Sequence, residues 1–188
     1  MLTWIQQLDD SILLAIQNIR VDWFSPIMIF VSAIGEAGMV WILLGLVLSI
    51  IPKTRKIGIL SLVSLLLCFL FNNIFLKNFV ARPRPYTRLS DLTIIVSYPT
   101  EFSFPSGHSC SSFATAGSIW NSGKRWNAIR IPAMILAILI AFSRLYVGVH
   151  YPSDVLVGAL IGLVGSTLIT RFGGRVYDKA AAKLTKKE

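Results

Sequence analysis

The sequence predicts an all-α integral-membrane helical bundle of about five transmembrane helices, six at most, preceded by an N-terminal interfacial amphipathic helix. Three observations point there. Hydrophobic residues fill 54% of the 188 positions and charged residues only 14%, and the mean hydropathy is +0.67, a balance that a soluble domain does not need. The apolar residues fall in runs of helical length, as a bilayer requires. Most of the Lys and Arg residues gather in a few clusters between those runs.

In order along the chain, residues 1–22 place Ile5, Leu8, Ile12, Ile16 and Ile19 at a helical period with polar residues between them. That pattern suits a helix lying on the membrane better than one crossing it. The apolar stretch 24–51 is broken at Gly35 and Glu36, and its second part, Ala37 to Ile51, is short against the roughly 20 residues a span requires. One spanning helix is expected there, preceded by a packed or partly inserted segment. Ile57 to Leu76 is a clear span. Ser109 to Trp120 is rich in Ser, Ala, Thr and Gly, so hydropathy alone passes over it, yet small hydroxyl residues suit a helix crossing among other helices. Ile129 to Phe142 and Val155 to Thr170 complete the set. The whole chain, 1–188, reads as one domain with a motif-bearing core at 57–170 and a basic cytoplasmic tail at 171–188. The acidic N-terminal region does not read as a signal peptide, and Cys68 and Cys110 read as small packing residues.

The net charge of +9 invites a nucleic-acid partner, but its distribution argues against one. Lys53, Arg55 and Lys56 follow one span; Lys124, Arg125 and Arg130 follow another; Arg171, Arg175, Lys179, Lys183, Lys186 and Lys187 follow the last. With five spans, all three clusters fall on one side, which marks the cytoplasm and makes membrane lipids their neighbours. The C-terminus is then cytoplasmic. Lys77, Arg84, His108, Arg144, His150 and seven of the carboxylates reach the opposite face.

Those residues carry the chemistry. The chain has only two histidines, and each sits in a dense polar string: Pro105-Ser106-Gly107-His108, and Ser143-Arg144 with His150 and Asp154. A third string supplies Lys77, Arg84 and Pro85. Ionisable groups at a membrane are costly and usually functional. Lys77, Arg84 and Arg144 are enough cations to neutralise a phosphate, which an arginine grips with two parallel hydrogen bonds. Ser106-Gly107 stands where a loop enters a helix, so backbone N–H groups and the helix dipole can cradle a phosphate oxygen. Two histidines offer the two roles of phosphate transfer, attack on phosphorus and protonation of the leaving oxygen. His150 has Asp154 four residues on, a spacing that can place both on one helical face and let the carboxylate fix the ring tautomer, so His150 is the better nucleophile and His108 the general acid.

The three strings resemble the signature motifs of the type 2 phosphatidic acid phosphatase family, part of the lipid phosphatase and vanadium haloperoxidase superfamily, with every signature position filled. The resemblance implies a phosphohistidine on His150, supported by Asp154, with His108 protonating the leaving group. It also implies that Lys77, Arg84, Ser106, Gly107 and Arg144 hold the phosphate and that no metal ion or other cofactor is required. The apparent lack of a first span is similar to short bacterial members acting on undecaprenyl diphosphate. The expectation is therefore a phosphatase of the bacterial plasma membrane that removes a terminal phosphate from a polyprenyl diphosphate outside the cytoplasm. Phosphatidylglycerol phosphate or phosphatidic acid is the alternative substrate. The partners expected are a phosphorylated lipid and membrane lipids, with no nucleic acid; the oligomeric state is not legible.

Plainer readings stand beside these. A lone Lys77 or Arg84 at a span end is more often a snorkelling anchor, and a lone membrane histidine is often a helix-helix hydrogen bond. A non-catalytic lipid-phosphate binding or transport protein would use the same cations, and the superfamily resemblance also admits haloperoxidase chemistry. Arg82 and Arg88 read as rim or head-group contacts, Asp91 and Glu101 as solvated, Gly158 and Gly162 as helix packing, and Trp4, Trp23 and Trp41 as interface or packing residues.

Overall fold

The computed structural model describes residues 3–185, and all regular structure among them is helical. The helix α1, Thr3–Asn18, packs against α7 and α8 and turns two different faces outward and inward. Trp4, Leu8, Ile12 and Ile19 are exposed, whereas Asp9 and Leu13 are buried. The apolar row seen in the sequence is therefore largely the outer row, as a helix lying at a membrane surface requires.

The helices α2, Ser25–Ile34, and α3, Met39–Ile50, are separated by Gly35 and a 3-10 turn at Glu36–Gly38 and meet at a bend of 47°. Ala37 and Gly38 both take left-handed backbone angles there, with φ of 51° and 70°, which stops one helix and redirects the next. At Gly35 a Cβ would stand 2.7 Å from Ile140 and 3.1 Å from His108. The missing side chain lets the end of α2 close on the histidine.

The span predicted from Ile57 starts as α4, Arg55–Phe69, passes through a π-helical segment, Leu70–Leu76, and ends as a short α5, Lys77–Val80. The helices α6, Gly107–Trp120, α7, Asn127–Tyr146, and α8, Pro152–Thr185, follow. Helical structure in α8 continues past Thr170 through the basic stretch, where Lys56 at the start of α4 meets Asp178 at 2.7 Å. Lys186 and Lys187 lie outside the described residues.

The runs Arg55–Thr87, Lys124–Tyr146 and Pro152–Lys183 are long and apolar enough to cross a bilayer, and the bent α2–α3 pair makes a fourth if it counts as one span. The helix α6 is shorter, at 14 residues, and ten of them are buried. It is shielded by α4, α7 and α8 packed around it, which explains how so polar a helix sits inside the bundle. Trp41 belongs to this interior rather than to a membrane interface: it is fully buried, and its Nε1 donates to Ser112 Oγ at 2.9 Å. Trp4 and Trp23 are exposed.

The helices α6 and α8 pack closely, backbone against backbone. A Cβ on Gly158 would lie 2.5 Å from the Ser106 carbonyl oxygen, and one on Gly162 would lie 2.5 Å from that of Cys110 and 2.7 Å from the Ala114 nitrogen. These are backbone atoms that cannot swing aside. Gly162→Val is expected to cost about 1–3 kcal/mol and to lower the midpoint of thermal unfolding in detergent by roughly 2–4 °C for each of those. Gly174→Ala, whose Cβ would meet nothing closer than Lys56 at 3.6 Å, should leave the midpoint within about 2 °C of the wild type.

Candidate active site

The three polar strings meet at one end of the bundle, opposite the basic clusters. The first arrives on the π-helical segment, whose irregular turn accompanies a buried Asn72 and delivers Lys77 into the interior; such bulges recur at functional sites. Lys77 Nζ bonds Glu101 Oε2 at 2.6 Å. Ala81, at φ 48°, breaks the helix. Arg84 is then fixed at three points: its Nε donates to the Glu101 carbonyl at 2.7 Å, its Nη1 donates to the Val149 carbonyl at 2.9 Å, and the same Nη1 stands 3.3 Å from His150 Nε2.

The second string forms the entrance to α6. The Ser106 hydroxyl caps that helix, accepting from the Ser109 amide at 3.3 Å and from the Ser109 hydroxyl at 3.0 Å, while the Ser106 amide donates to the Asp154 carbonyl at 3.0 Å. Ser106 is thus fully buried and committed to the fold, and the open wall of the loop consists of Gly107 and His108. At Gly107 a Cβ would lie 2.8 Å from Asn73 Oδ1, so glycine admits that amide to the site. His108 Nε2 is buried without a hydrogen-bond partner.

The third string brings Arg144 and His150. Arg144, in the last turn of α7, donates from Nη1 to the Ser32 hydroxyl of α2. His150 lies in the turn before α8 and Asp154 in the first turn of α8, so the pair is not on one helical face as the spacing had implied. The turn folds back instead and sets His150 Nδ1 3.5 Å from Asp154 Oδ2. A guanidinium only donates, so Nε2 beside Arg84 accepts, and the ring proton belongs on Nδ1 toward the carboxylate. Burial, opposed by Asp154 and assisted by the Arg84 and Arg144 charges, holds the His150 pKa down at about 3. Burial thus favours the neutral ring at physiological pH, with the Nε2 lone pair turned toward the Arg84 guanidinium.

Lys77, Arg84, Gly107, His108, Arg144 and His150 line a single cavity of about 860 Å³, together with Asn73 and Ser111. Ser106 and Asp154 stand behind its wall. Ile29, Phe69 and Ile74 form an apolar stretch of the lining. Among the described residues, no group of three or more His, Cys, Asp and Glu side chains is placed to hold a metal ion.

Of the residues read as rim or solvated, one needs correction. Arg82 is not at the rim: it is buried, with Nη1 2.5 Å from Asp154 Oδ1 and Nη2 2.7 Å from Asp9 Oδ2. Glu101 is exposed at its side chain but is held by Lys77, whose hydrogen bond, followed by its charge, keeps the carboxyl below the usual carboxylate range. Ser32, Asn73, Ser103 and Asp9 were also missed. Asp9 alone carried a signal, since it falls in register with Ile5, Leu13 and Ile16 on the inner side of an amphipathic helix, a place where a carboxylate needs a partner.

Comparison with known proteins agrees with this geometry. The sequence pattern of the PAP2 superfamily matches residues 57–178. An undecaprenyl-diphosphatase from Sulfolobus acidocaldarius is 34% identical over 143 residues, which cover 76% of this chain and 68% of that protein. The crystal structure of the transmembrane PAP2 type phosphatidylglycerolphosphate phosphatase from Bacillus subtilis matches with a TM-score of 0.76 at 27% identity, over 93% of this chain and 88% of the other. Aquifex aeolicus LpxE matches with a TM-score of 0.70 at 29% identity, over 86% of this chain and 93% of the other. A matched pattern that runs from α4 far into α8 and carries all three polar strings makes this chain a member of the PAP2 superfamily, an integral-membrane lipid phosphatase.

Proposed function

We propose that the protein hydrolyses the terminal phosphate of a polyprenyl diphosphate, through a phosphohistidine on His150, at the extracytoplasmic face of the plasma membrane. The observation that carries this reading is His150 Nε2, 3.3 Å from the Arg84 guanidinium, on a cavity that Lys77 and Arg144 also line. The polyprenyl substrate is supported by the archaeal relative named an undecaprenyl-diphosphatase and by the apolar wall of Ile29, Phe69 and Ile74, which offers a tail a way toward the bilayer. Phosphatidylglycerol phosphate is the second reading, favoured by the Bacillus subtilis phosphatase. The short-loop cations at the other end of the bundle support this choice of face.

In the proposed reaction the Nε2 lone pair of His150 attacks the terminal phosphorus and the bond from phosphorus to the bridging oxygen breaks. His108 gives its proton to that oxygen, and the lipid monophosphate leaves. The bound phosphate charge favours the protonated His108 ring before this step. A water molecule then attacks the phosphohistidine, His108 takes up a proton, and inorganic phosphate departs with His150 restored. Arg84, Arg144 and Lys77, with the amides of Gly107 and His108, neutralise the charge on the equatorial oxygens. Asp154 holds the His150 tautomer.

With purified protein and undecaprenyl diphosphate, His150→Ala should lower turnover by at least about a thousandfold, and radiolabelled substrate should leave acid-labile phosphate on the wild type and none on the variant. Excess EDTA should leave the wild-type rate unchanged. Lipid binding without phosphate release in protein shown to be folded would favour a binding or transport role.

Glu101 gives a further test. As an acid whose pKa is depressed by Lys77, it is ionised at neutral pH, and its pair with Lys77 is lost only as the pH falls through that lowered value. Between pH 6 and 8 it therefore competes with the incoming phosphate. Glu101→Gln should tighten inhibition by orthophosphate by about two- to fivefold, the scale of a partly exposed ion pair, and an unchanged inhibition constant would remove this role.

A further inference from the structure

Arg82 and Asp9 belong to none of the motif positions, yet both are buried beside the reacting groups. The Arg82 guanidinium lies 3.7 Å from the centroid of the Tyr151 ring, on the residue next to His150. Its Nη1 reaches Asp154 Oδ1 at 2.5 Å and Ser153 Oγ at 2.8 Å, and its Nη2 reaches Asp9 Oδ2 at 2.7 Å and Gln6 Oε1 at 3.0 Å. Asp9 also holds the same turn directly: its Oδ1 accepts from the Ser153 amide at 2.8 Å, and its Oδ2 accepts from the Ser153 hydroxyl at 2.5 Å. One arginine thus bridges two buried carboxylates, and the second comes from the membrane-surface helix α1.

The geometry points to Arg82 and Asp9 as positioning residues for the phosphatase reaction: α1, through the Asp9–Arg82 bridge, holds Asp154 in the orientation that aims His150 at phosphorus. This rests on His150 being the nucleophile. Arg82 and Ser103 share the Asp154 carboxylate with the Tyr151 amide, so the oxygen facing His150 Nδ1 is set by what the other oxygen bonds. Arg82 is in turn set by Asp9, since a guanidinium presents its two outer nitrogens in a fixed fork. The opposite side of α1 carries Trp4, Leu8 and Ile12, all exposed, so the helix that braces the carboxylate also rests where an amphipathic helix meets lipid.

The test uses the full-length protein in detergent with undecaprenyl diphosphate, measuring kcat, KM and orthophosphate inhibition for the wild type, Asp9→Asn, Arg82→Lys, Arg82→Gln and His150→Ala. Asp9→Asn should lower kcat about tenfold, the scale of one lost charge-assisted hydrogen bond, with KM and phosphate inhibition within about twofold, because the cations that hold phosphate are untouched. Arg82→Gln should lower kcat further, and Arg82→Lys should recover part of the loss. Wild-type kcat in Asp9→Asn and Arg82→Gln, with His150→Ala inactive, would overturn the inference and leave the nucleophile standing. An active His150→Ala would overturn the underlying reading instead. If Arg82→Gln fails to fold, Asp9→Asn decides alone: a lowered thermal midpoint with unchanged kcat and KM means bracing of the fold and not of the reaction.

Discussion

Asp154 is the point on which this end of the molecule turns. It is fully buried, and all three polar strings converge on it. Arg82, two residues before Arg84 of the first string, and Ser103, ahead of the second, donate to its carboxylate, the Ser106 amide donates to its carbonyl, and the Tyr151 amide closes the turn of the third. A carboxylate in such a place is tolerated only when paired and fully hydrogen-bonded, and stripping one partner from a buried pair costs about 3–5 kcal/mol. The loops are therefore not free to arrange themselves separately. The entrance of α6, the start of α8 and the segment after α5 are fastened to one side chain.

What this fastening leaves unpaired is as informative. Asp9 and Asp154 are both taken by Arg82, and Asp10 by Arg88. Lys77 has a single exposed carboxylate, and among the described residues no carboxylate stands within ion-pair distance of Arg84 or Arg144, which rest on carbonyls, a hydroxyl and a neutral imidazole. Buried cations without counterions are expensive, and they make a cavity that a multiply charged anion completes. The same cations help to keep His150 neutral, the state in which it has a lone pair to give. In the proposed reaction one arrangement thus serves both the anion site and the nucleophile.

Most of the architecture was legible because bilayers impose simple rules. The long apolar runs, the broken pair at Gly35 and the segregation of cations follow from span length and charge sign, and even the polar α6 was readable from its small hydroxyl residues. The cavity-lining cations and histidines were legible because charged groups in an apolar chain stand out. Side-chain partnerships were not. Arg82 looked like a rim residue since nothing in one dimension reveals that a distant Asp9 would fold over it, and the His150 turn looked helical because a four-residue spacing does not distinguish a helix from a turn leading into one. Ser106 read as part of a phosphate loop, yet its hydroxyl is spent on capping α6, a use the sequence pattern shares with anion binding. Ser32 and Asn73 were hidden for the opposite reason: single polar residues in apolar helices signal only that they need some partner.

In the proposed function the unpaired cations and His150 form one anion site built for a five-coordinate phosphorus. An experimental structure with orthovanadate bound in the presence of EDTA tests it most directly. Vanadium should be bonded to His150 Nε2, with its equatorial oxygens held by Lys77, Arg84 and Arg144 and with His108 at the opposite apex. Vanadate bound away from His150, or a site filled only when a metal ion is supplied, would contradict it.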